Sequence, residues 1–376
     1  MKEQEQILGS IDRYQRGFWL RERVDRPPVC VYPARALTPV RYLKRPFNRD
    51  MFTPADLSPD LVRTDYEDAS FGRRVFADDF MPFNAPWRGV PWLEAISGCD
   101  VEYAEGALAP RAFIEDASGL ANVPANTDGG WQLCLEQETS RLAAMNPDDC
   151  WVSPTILRGT ADVLAGARGL TNFLLDLYDS PRDVDLAAAR VADLTCAVVE
   201  RHFATVSDHI SGYGHIYGYW SPGPTIVLQQ DVLGMCSPEM YRATFLAQDQ
   251  RIVSRLGNYV LFHLHSTGYQ HYADVLEIPG LAGMQITVEA NGPSLSDLEP
   301  VFRDVLGKTR LIVLVDGHFA ELPRLLHSLP TDGLIVIVPD TAIESETVFR
   351  DLLARCWRAR GADPRRSRRP REAPGV

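Results

Sequence analysis

The sequence predicts an α/β protein folded as a (β/α)8 TIM barrel with an N-terminal helical extension. Short segments that are apolar at consecutive positions, such as residues 259–265, alternate with amphipathic segments of helical length. Strands of this kind need cover on both faces, which is typical of a parallel sheet. Successive strand ends at His263, Glu289, Asp316 and Pro339 are 26, 27 and 23 residues apart, about one β/α unit each. An open doubly wound sheet is the alternative, but no GxGxxG motif follows a strand to support it.

The remaining elements can be assigned in order along the chain. Residues 35–130, rich in Pro, Asp and aromatic residues, are expected to form excursions over one face of the barrel. A helical crossover is predicted over residues 159–178, and apolar positions spaced by three and four predict a long helix from Asp183 to His209. A further helix opens at Ser237, which Pro238 and Glu239 follow. The predicted strands lie at residues 27–33, 150–156, 213–220, 259–265, 284–289, 310–317 and 333–340.

Composition narrows the class of protein. The 376 residues are expected to form a single domain over residues 1–360 and a disordered basic tail over residues 361–376. The chain holds 38 Lys and Arg against 50 Asp and Glu, and this net charge of −12 argues against nucleic-acid binding. No apolar run reaches the roughly 18 residues that span a bilayer, and the N-terminus is too polar for a signal peptide, so we expect a cytoplasmic protein. The seven cysteines include no CxxC pair and indicate neither disulfides nor a Cys-rich zinc site.

A metal site is predicted at the carboxyl ends of the strands, where a barrel places its chemistry. His263 and His265 are two residues apart in a strand, so both imidazoles face the same side and can bind one ion. Glu289, at the end of the next strand, would complete a set of two His and one Glu with an open position, which suits a catalytic zinc ion. The alternative is that these residues only form hydrogen bonds within the fold.

Other polar residues at strand ends are candidates for catalysis and substrate binding. Asp316 and His318 are expected to move protons. The Gly- and aromatic-rich segment 211–231 would form the wall of a pocket for a small organic substrate, although core aromatics beside a turn are an equal alternative. The predicted substrate-binding residues are Tyr217, Tyr219, Trp220, Gln229 and Thr341.

The order of these motifs resembles a known superfamily. The H-x-H pair, a strand ending in Glu289 and the segment P-D-T-A-I at residues 339–343 look like the barrel of cobalamin-independent methionine synthases, corrinoid-dependent methyltransferases and uroporphyrinogen decarboxylases. The resemblance covers roughly residues 150–350. It places His263 on the family's His ligand, His265 on its first Cys ligand, Glu289 on its Glu and Thr341 on its last Cys. Both thiolates of the methyltransferases are therefore replaced.

The resemblance implies a harder, more Lewis-acidic metal site than that of the thiol-methylating relatives. The expected function is that of a metal-dependent methyl or alkyl transferase that acts on a small polar substrate, without a nucleotide cofactor. A corrinoid protein or another methyl donor is the expected partner, and barrels of this group often form homodimers.

The sequence is also compatible with two other functions. In the decarboxylase branch an Asp in an F-S-D-like segment contacts the substrate, and Asp78 in Phe76-Ala77-Asp78-Asp79 falls on it, although that branch's Arg-rich loop is absent. A metal-free lyase of a small carboxylate, with Asp78 at its centre, is therefore one alternative. A non-catalytic barrel that partners a methyltransferase or corrinoid protein is the other.

Overall fold

The fold is organised around a six-stranded parallel sheet. The computed structural model describes residues 2–32, 51–57, 78–87, 89–104, 107–124, 128–145, 150–206, 212–343 and 346–357. Its strands are β1 Val29–Tyr32, β2 Phe83–Asn84, β3 Asp100–Ala104, β4 Ala107–Arg111, β5 Trp151–Val152, β6 Tyr213–Gly214, β7 Trp220–Ser221, β8 Ile226–Gln229, β9 Val260–His265, β10 Gly283–Val288, β11 Arg310–Val315 and β12 Leu334–Pro339. The large sheet has the order β1-β12-β11-β10-β9-β8, and all of its pairings are parallel.

Helices connect these strands, as the sequence predicts for a parallel sheet. The α-helices are α1 Lys2–Arg13, α2 Trp92–Ile96, α3 Ala117–Leu120, α4 Gly130–Met145, α5 Thr160–Arg168, α6 Leu170–Asp179, α7 Pro181–Thr205, α8 Pro238–Met240, α9 Leu246–Leu256, α10 Tyr272–Leu276, α11 Leu295–Lys308, α12 Leu322–Ser328 and α13 Glu346–Trp357. The predicted N-terminal helical extension is present as α1 and a π-helical turn, Tyr14–Trp19. No helix in the described ranges is both long and apolar enough to cross a membrane.

Every strand of the sheet except β10 divides its apolar side chains between two buried clusters. In β9, Val260, Phe262 and Leu264 pack in the cluster shared with the helices. Leu261 belongs to a second cluster on the opposite face, and His263 and His265 follow it at two-residue intervals. This alternation is the period of an extended strand. It places both imidazoles on the inner face, which is the face of the second cluster, at the carboxyl end of the sheet.

The closed barrel expected from the sequence is not confirmed, because β1 and β8 remain the edges of the six-stranded sheet. Shorter contacts continue from both edges: the Asp79 N–H donates to the Val29 carbonyl at 2.9 Å, and Arg158 forms a single parallel bridge with Gln229. Between them, among the described residues, β2 pairs with β5 alone, over two residues each. Pro82 and Pro154 flank these strands, and proline cannot donate to a ladder, so the pairing stays short.

The segment predicted as one strand over residues 213–220 is instead an antiparallel hairpin of β6 and β7. Gly218 adopts a φ of +74°, which favours glycine, and a Cβ there would collide with the ring of Phe80. A close approach also explains Gly159, where a Cβ would collide with the Gln229 carbonyl and so push residues 158–159 away from β8.

The predicted helices are present, but the predicted excursion and tail are described only in part or not at all. The long helix is confirmed as α7, and the predicted crossover is two helices, α5 and α6, that meet at Gly169 with a φ of +83°. The excursion over residues 35–130 is described only in parts, which include α2 and the β3–β4 hairpin. The predicted tail over residues 361–376 lies outside the described residues, and the single domain remains a prediction.

A buried hydrogen-bond network secures the end of β8. Asp249 of α9 accepts from Gln230 Nε2 at 2.8 Å and from the Tyr241 hydroxyl at 2.9 Å. The Gln230 Oε1 in turn accepts from the N–H of Ala161 at 3.0 Å, in the first turn of α5. Burial raises the pKa of Asp249 to about 7, although both hydrogen bonds oppose the shift.

Asp249→Asn is therefore expected to change the pH dependence of stability. A carboxyl whose folded pKa exceeds its unfolded value of about 3.9 contributes stability at low pH and loses it as pH rises through the folded pKa. Between pH 5 and pH 8 the wild type should lose about 2 to 3 kcal/mol relative to the variant, measured by urea unfolding. Asp304→Asn, on the exposed side of α11, serves as the control. A constant difference across this pH range would contradict the expectation.

Candidate metal centre

The two imidazoles of β9 converge with a carboxylate from the neighbouring strand end. Asp231 lies two residues after the end of β8 and begins a 3-10 turn, Asp231–Met235. Its Oδ1 lies 3.3 Å from His265 Nε2 and 3.6 Å from His263 Nε2, and the three ligand atoms all lie within 4.8 Å of one another. Two donors on a tetrahedral zinc ion with bonds of about 2.0–2.1 Å would be about 3.3 Å apart, so this spacing fits a shared ion.

The other ring nitrogen of each histidine, Nδ1, forms a hydrogen bond with an outer partner, a side chain that does not face the other two ligand atoms. His263 Nδ1 forms a hydrogen bond with the Oε1 of Gln285, which lies beside it in the register of β9 and β10. His265 Nδ1 forms one with the Oε1 of Glu289. Metal-binding histidines commonly donate their second N–H in this way, which fixes the ring and leaves the other nitrogen for the ion. Both Nε2 atoms are thus directed toward Asp231.

Glu289 lies on the Nδ1 side of His265 and not beside the two Nε2 atoms. Its Oε2 accepts from the N–H of Ser266 at 3.1 Å and from the Ser266 hydroxyl. The sequence-based set has Glu289 as the third ligand, whereas in the structure Asp231 is the carboxylate that lies beside the two Nε2 atoms. The reason is the reach of the side chain, because Glu289 is already held by Ser266 and by the far side of the ring.

The charges of this cluster are strongly coupled. Hydrogen bonds to Asp231 and Glu289 raise the pKa of His265 to about 10, although burial opposes the shift. Partial burial raises the pKa of Glu289, but hydrogen bonds from His265 and Ser266 outweigh it and lower that pKa to about 2. Burial lowers the pKa of His263, and its Nε2 is buried without a hydrogen-bond partner among the described residues. A buried orphan nitrogen of this kind is costly unless it binds something.

Hydrogen bonds to a side chain of α5 hold the backbone at Asp231. Asp162, in the first turn of α5, accepts the N–H of Asp231 at 3.0 Å and the N–H of Val232 at 2.8 Å. The side chain of Asp231 is 40% exposed, and Gln229 Nε2 donates to its Oδ2 at 3.0 Å. Asp162 therefore holds the turn, while Asp231 keeps one oxygen directed to the imidazoles.

Aromatic rings adjoin the cluster on one side. The ring of Tyr217 stacks on His263, with centroids 6.4 Å apart and planes inclined by 17°. Behind it, His215 stacks on Tyr219 at 5.0 Å. Tyr219 and Trp220 are buried, so these two predicted substrate-binding residues lie in the inner core, as the alternative interpretation expected. Tyr217 and Gln229 are half-buried and adjoin the metal-type residues.

The other predicted site residues lie elsewhere. Asp316 is exposed, and its N–H donates to the Val288 carbonyl at 3.0 Å. His318 has a left-handed φ of 58°, and its Nδ1 lies 3.8 Å from Glu321. Neither belongs to the group of possible metal ligands formed by Asp231, His263 and His265 in the described part of the chain. Thr341 follows β12 in a short 3-10 turn, and its side chain lies outside the described part.

Asp78, the centre of the alternative lyase prediction, is buried beside the first strand. Its Oδ2 accepts from the N–H of Val31 at 2.5 Å, and its carbonyl accepts from Gln6 Nε2 at 3.4 Å. These contacts connect Asp78 to β1 and α1. Its described hydrogen bonds do not include His263 or His265.

Sequence reasoning did not identify Asp231 or Gln285 as members of the site. Asp231 stands two residues after an apolar strand, in the run IVLQQD, so the same strand-end rule could have found it. Gln285 lies inside a strand and is completely buried, and only the sheet register shows that it faces His263.

Comparison with known proteins gives a result at the level of structure. No family model matches the chain, and no curated protein matches its sequence. Solved structures do match, among them a methyltransferase from Methanosarcina mazei, with a TM-score of 0.60 and 12% sequence identity. The similarity covers 89% of this chain and 94% of the methyltransferase chain. The protein therefore has the same fold as a methyltransferase.

Proposed function

We propose that the protein is a metal-dependent enzyme that transfers a methyl or alkyl group to or from a small polar substrate, with a divalent ion, zinc by its ligands, at Asp231, His263 and His265. The observation that carries the proposal is the convergence of two imidazole Nε2 atoms and one carboxylate oxygen, with both Nδ1 atoms held by outer partners. Two His and one carboxylate leave a coordination position open, as catalytic zinc sites do.

The residues present fit such an ion. The buried Nε2 of His263 would gain the partner it otherwise lacks among the described residues, and Asp231 would offset part of the positive charge. When bound, the ion supplies Lewis acidity at the open position. Gln285 and Glu289 orient the two imidazoles, and Tyr217 shields the ring of His263.

Two further elements of the proposal rest on likeness. The fold shared with a methyltransferase supports group transfer as the reaction class, and a corrinoid protein or another methyl donor is the partner that such a reaction needs. The short pairings at both edges of the sheet support a barrel of the uroporphyrinogen decarboxylase type with an interrupted wall.

Zinc titration of the full chain tests the ligand set. We expect one zinc ion per chain, measured calorimetrically against a competing chelator. Asp231→Asn should weaken binding by at least about 100-fold, because the amide cannot replace an anionic ligand. Glu289→Gln should weaken it by less than about tenfold, since its amide oxygen still accepts from His265 Nδ1.

The reverse order of effects would return Glu289 to the ligand set in place of Asp231. A wild type that binds no stoichiometric zinc, cobalt or manganese would contradict the metal proposal altogether. Activity that survives chelation but is lost in Asp78→Asn would favour the metal-free lyase.

Asp162→Asn is expected to lower zinc affinity by about tenfold, as the loss of an outer partner typically does. Asparagine offers one acceptor oxygen, so one of the two N–H groups at residues 231 and 232 loses its partner. The matched control is Asp176→Asn, a buried Asp of α6 that pairs with Arg168 at 2.7 Å. Both variants should lose stability, whereas only Asp162→Asn should lose zinc affinity. Equal zinc affinities would show that Asp162 acts on stability alone.

A further inference from the structure

A cleft of about 410 Å³ adjoins the metal centre on the side of α5. Its walls are mainly apolar or small residues, with Pro110, Leu170 and Val232 among them. Three charged side chains, Arg158, Asp162 and Asp231, line it as well. Small-molecule sites typically have volumes of about 300–1,000 Å³, with apolar walls and a few polar groups that set the orientation of the ligand. Asp231 belongs both to this cleft and to the metal-type cluster, so a ligand in the cleft would adjoin the ion.

Arg158 is the cation of the cleft. Its Nη1 donates to Glu94 Oε1 at 3.1 Å, and the Glu94 side chain is completely buried. The Nε and Nη2 groups of Arg158 make no hydrogen bond to the described residues, and the side chain is 40% exposed. The Nε and Nη2 edge of a guanidinium matches the two oxygens of a carboxylate. Glu94 thus holds the arginine in place while one edge stays available.

The charge balance of the cleft connects anion binding to the metal. Arg158, Glu94, Asp162 and Asp231 sum to a formal charge of −2, which a divalent ion would bring to zero. Both oxygens of Asp162 already accept backbone N–H groups, so this carboxylate is engaged within the protein. A monoanion is therefore disfavoured without the ion and accepted with it, whereas a dianionic phosphate would meet stronger repulsion from Asp162.

We propose that this cleft binds the carboxylate end of a small substrate, with Arg158 as its specificity-determining residue and with the reacting end toward the metal. The inference rests on the proposed function and names the substrate class of the same site. Carboxylate affinity should be coupled to metal occupancy, and by linkage the carboxylate should tighten metal binding by the same factor.

The test compares two metal-binding probes of matched size on the zinc-loaded full chain. Succinic acid monohydroxamate carries a carboxylate where butyrohydroxamate carries a methyl group. By calorimetry we expect the carboxylate probe to bind the wild type about 10- to 100-fold more tightly, the range for a charged bidentate pair. In the double variant Arg158→Gln/Glu94→Gln, which leaves no unpaired buried charge, this ratio should fall to about one. Arg158→Lys should give an intermediate ratio, since it keeps the charge without the fork.

Arg201→Gln is the matched control, because Arg201 has a similar exposure of 38% and pairs with Glu136 and Asp128 away from the cleft. It should keep the wild-type ratio. A ratio near one in the zinc-loaded wild type, or one that persists without Arg158, would overturn the inference while leaving the metal site intact. A chain that binds no zinc would overturn both proposals, and the zinc titration alone reports that outcome.

Discussion

The His263→Ala variant is expected to bind zinc at least about 100-fold more weakly than the wild type, and His263→Ala/His265→Ala should bind no stoichiometric ion. Each substitution removes a nitrogen donor whose Nε2 lies 3.3 to 3.6 Å from Asp231 Oδ1. Loss of a ligand should exceed the 10- to 100-fold effect typical of an outer partner. Calorimetry measures the dissociation constant for zinc, and metal analysis after dialysis measures the number of ions per chain.

The side chain of His263 is buried, so its removal also creates a cavity. Thermal unfolding without metal therefore has to accompany the titration. His327→Ala, an exposed position on α12, controls for a general effect of losing a histidine. Stoichiometric zinc retained by the folded double variant would show that the ion binds elsewhere.

Asp79→Ala is expected to give the largest loss of stability, about 3 to 5 kcal/mol in the free energy of unfolding. The Asp79 side chain is only 2% exposed and forms ion pairs with Arg13 of α1 and with Arg26. Ser10 and the N–H of Val29 also donate to it, at 3.1 and 3.0 Å. Its removal leaves two arginines without their shared partner and weakens the attachment of α1, which Gln6 and the buried Ile7 also hold.

The same contacts predict how the effect of Asp79→Ala on stability depends on pH. Burial raises the pKa of Asp79, but Arg26 and Arg13 outweigh it and lower the pKa below its usual value. A depressed pKa contributes stability at neutral pH that is lost as the pH falls through the folded value. Urea unfolding at pH 7 should therefore separate Asp79→Ala from the wild type more than unfolding in acid does. Asp12→Ala, an exposed partner of Arg16, should change little, and an equal effect of both variants would contradict the account.

Much of the sheet could be predicted from the sequence because its strands are apolar on consecutive positions. All of β9, β10, β11 and β12 lie where this pattern places them, and α7 follows the three- and four-residue spacing of its apolar positions. Closure of the barrel could not be predicted in the same way. It depends on the pairing of short, Pro-flanked strands such as β2 and β5. β5 lies within the strand predicted over residues 150–156, but the local sequence of β2 carries no strong strand signal.

The candidate site likewise has one feature that local sequence predicts and others that depend on packing. The two-residue period of an extended chain is enough to predict that His263 and His265 share one face of a strand end. Which nitrogen of each imidazole is available could not be predicted in that way. That choice depends on the register that sets Gln285 beside His263 and on the reach of Glu289 to His265 Nδ1. Asp231 joins the two histidines only because β8 and β9 are neighbours, and contacts between residues 32 and 34 positions apart follow from packing and not from local pattern.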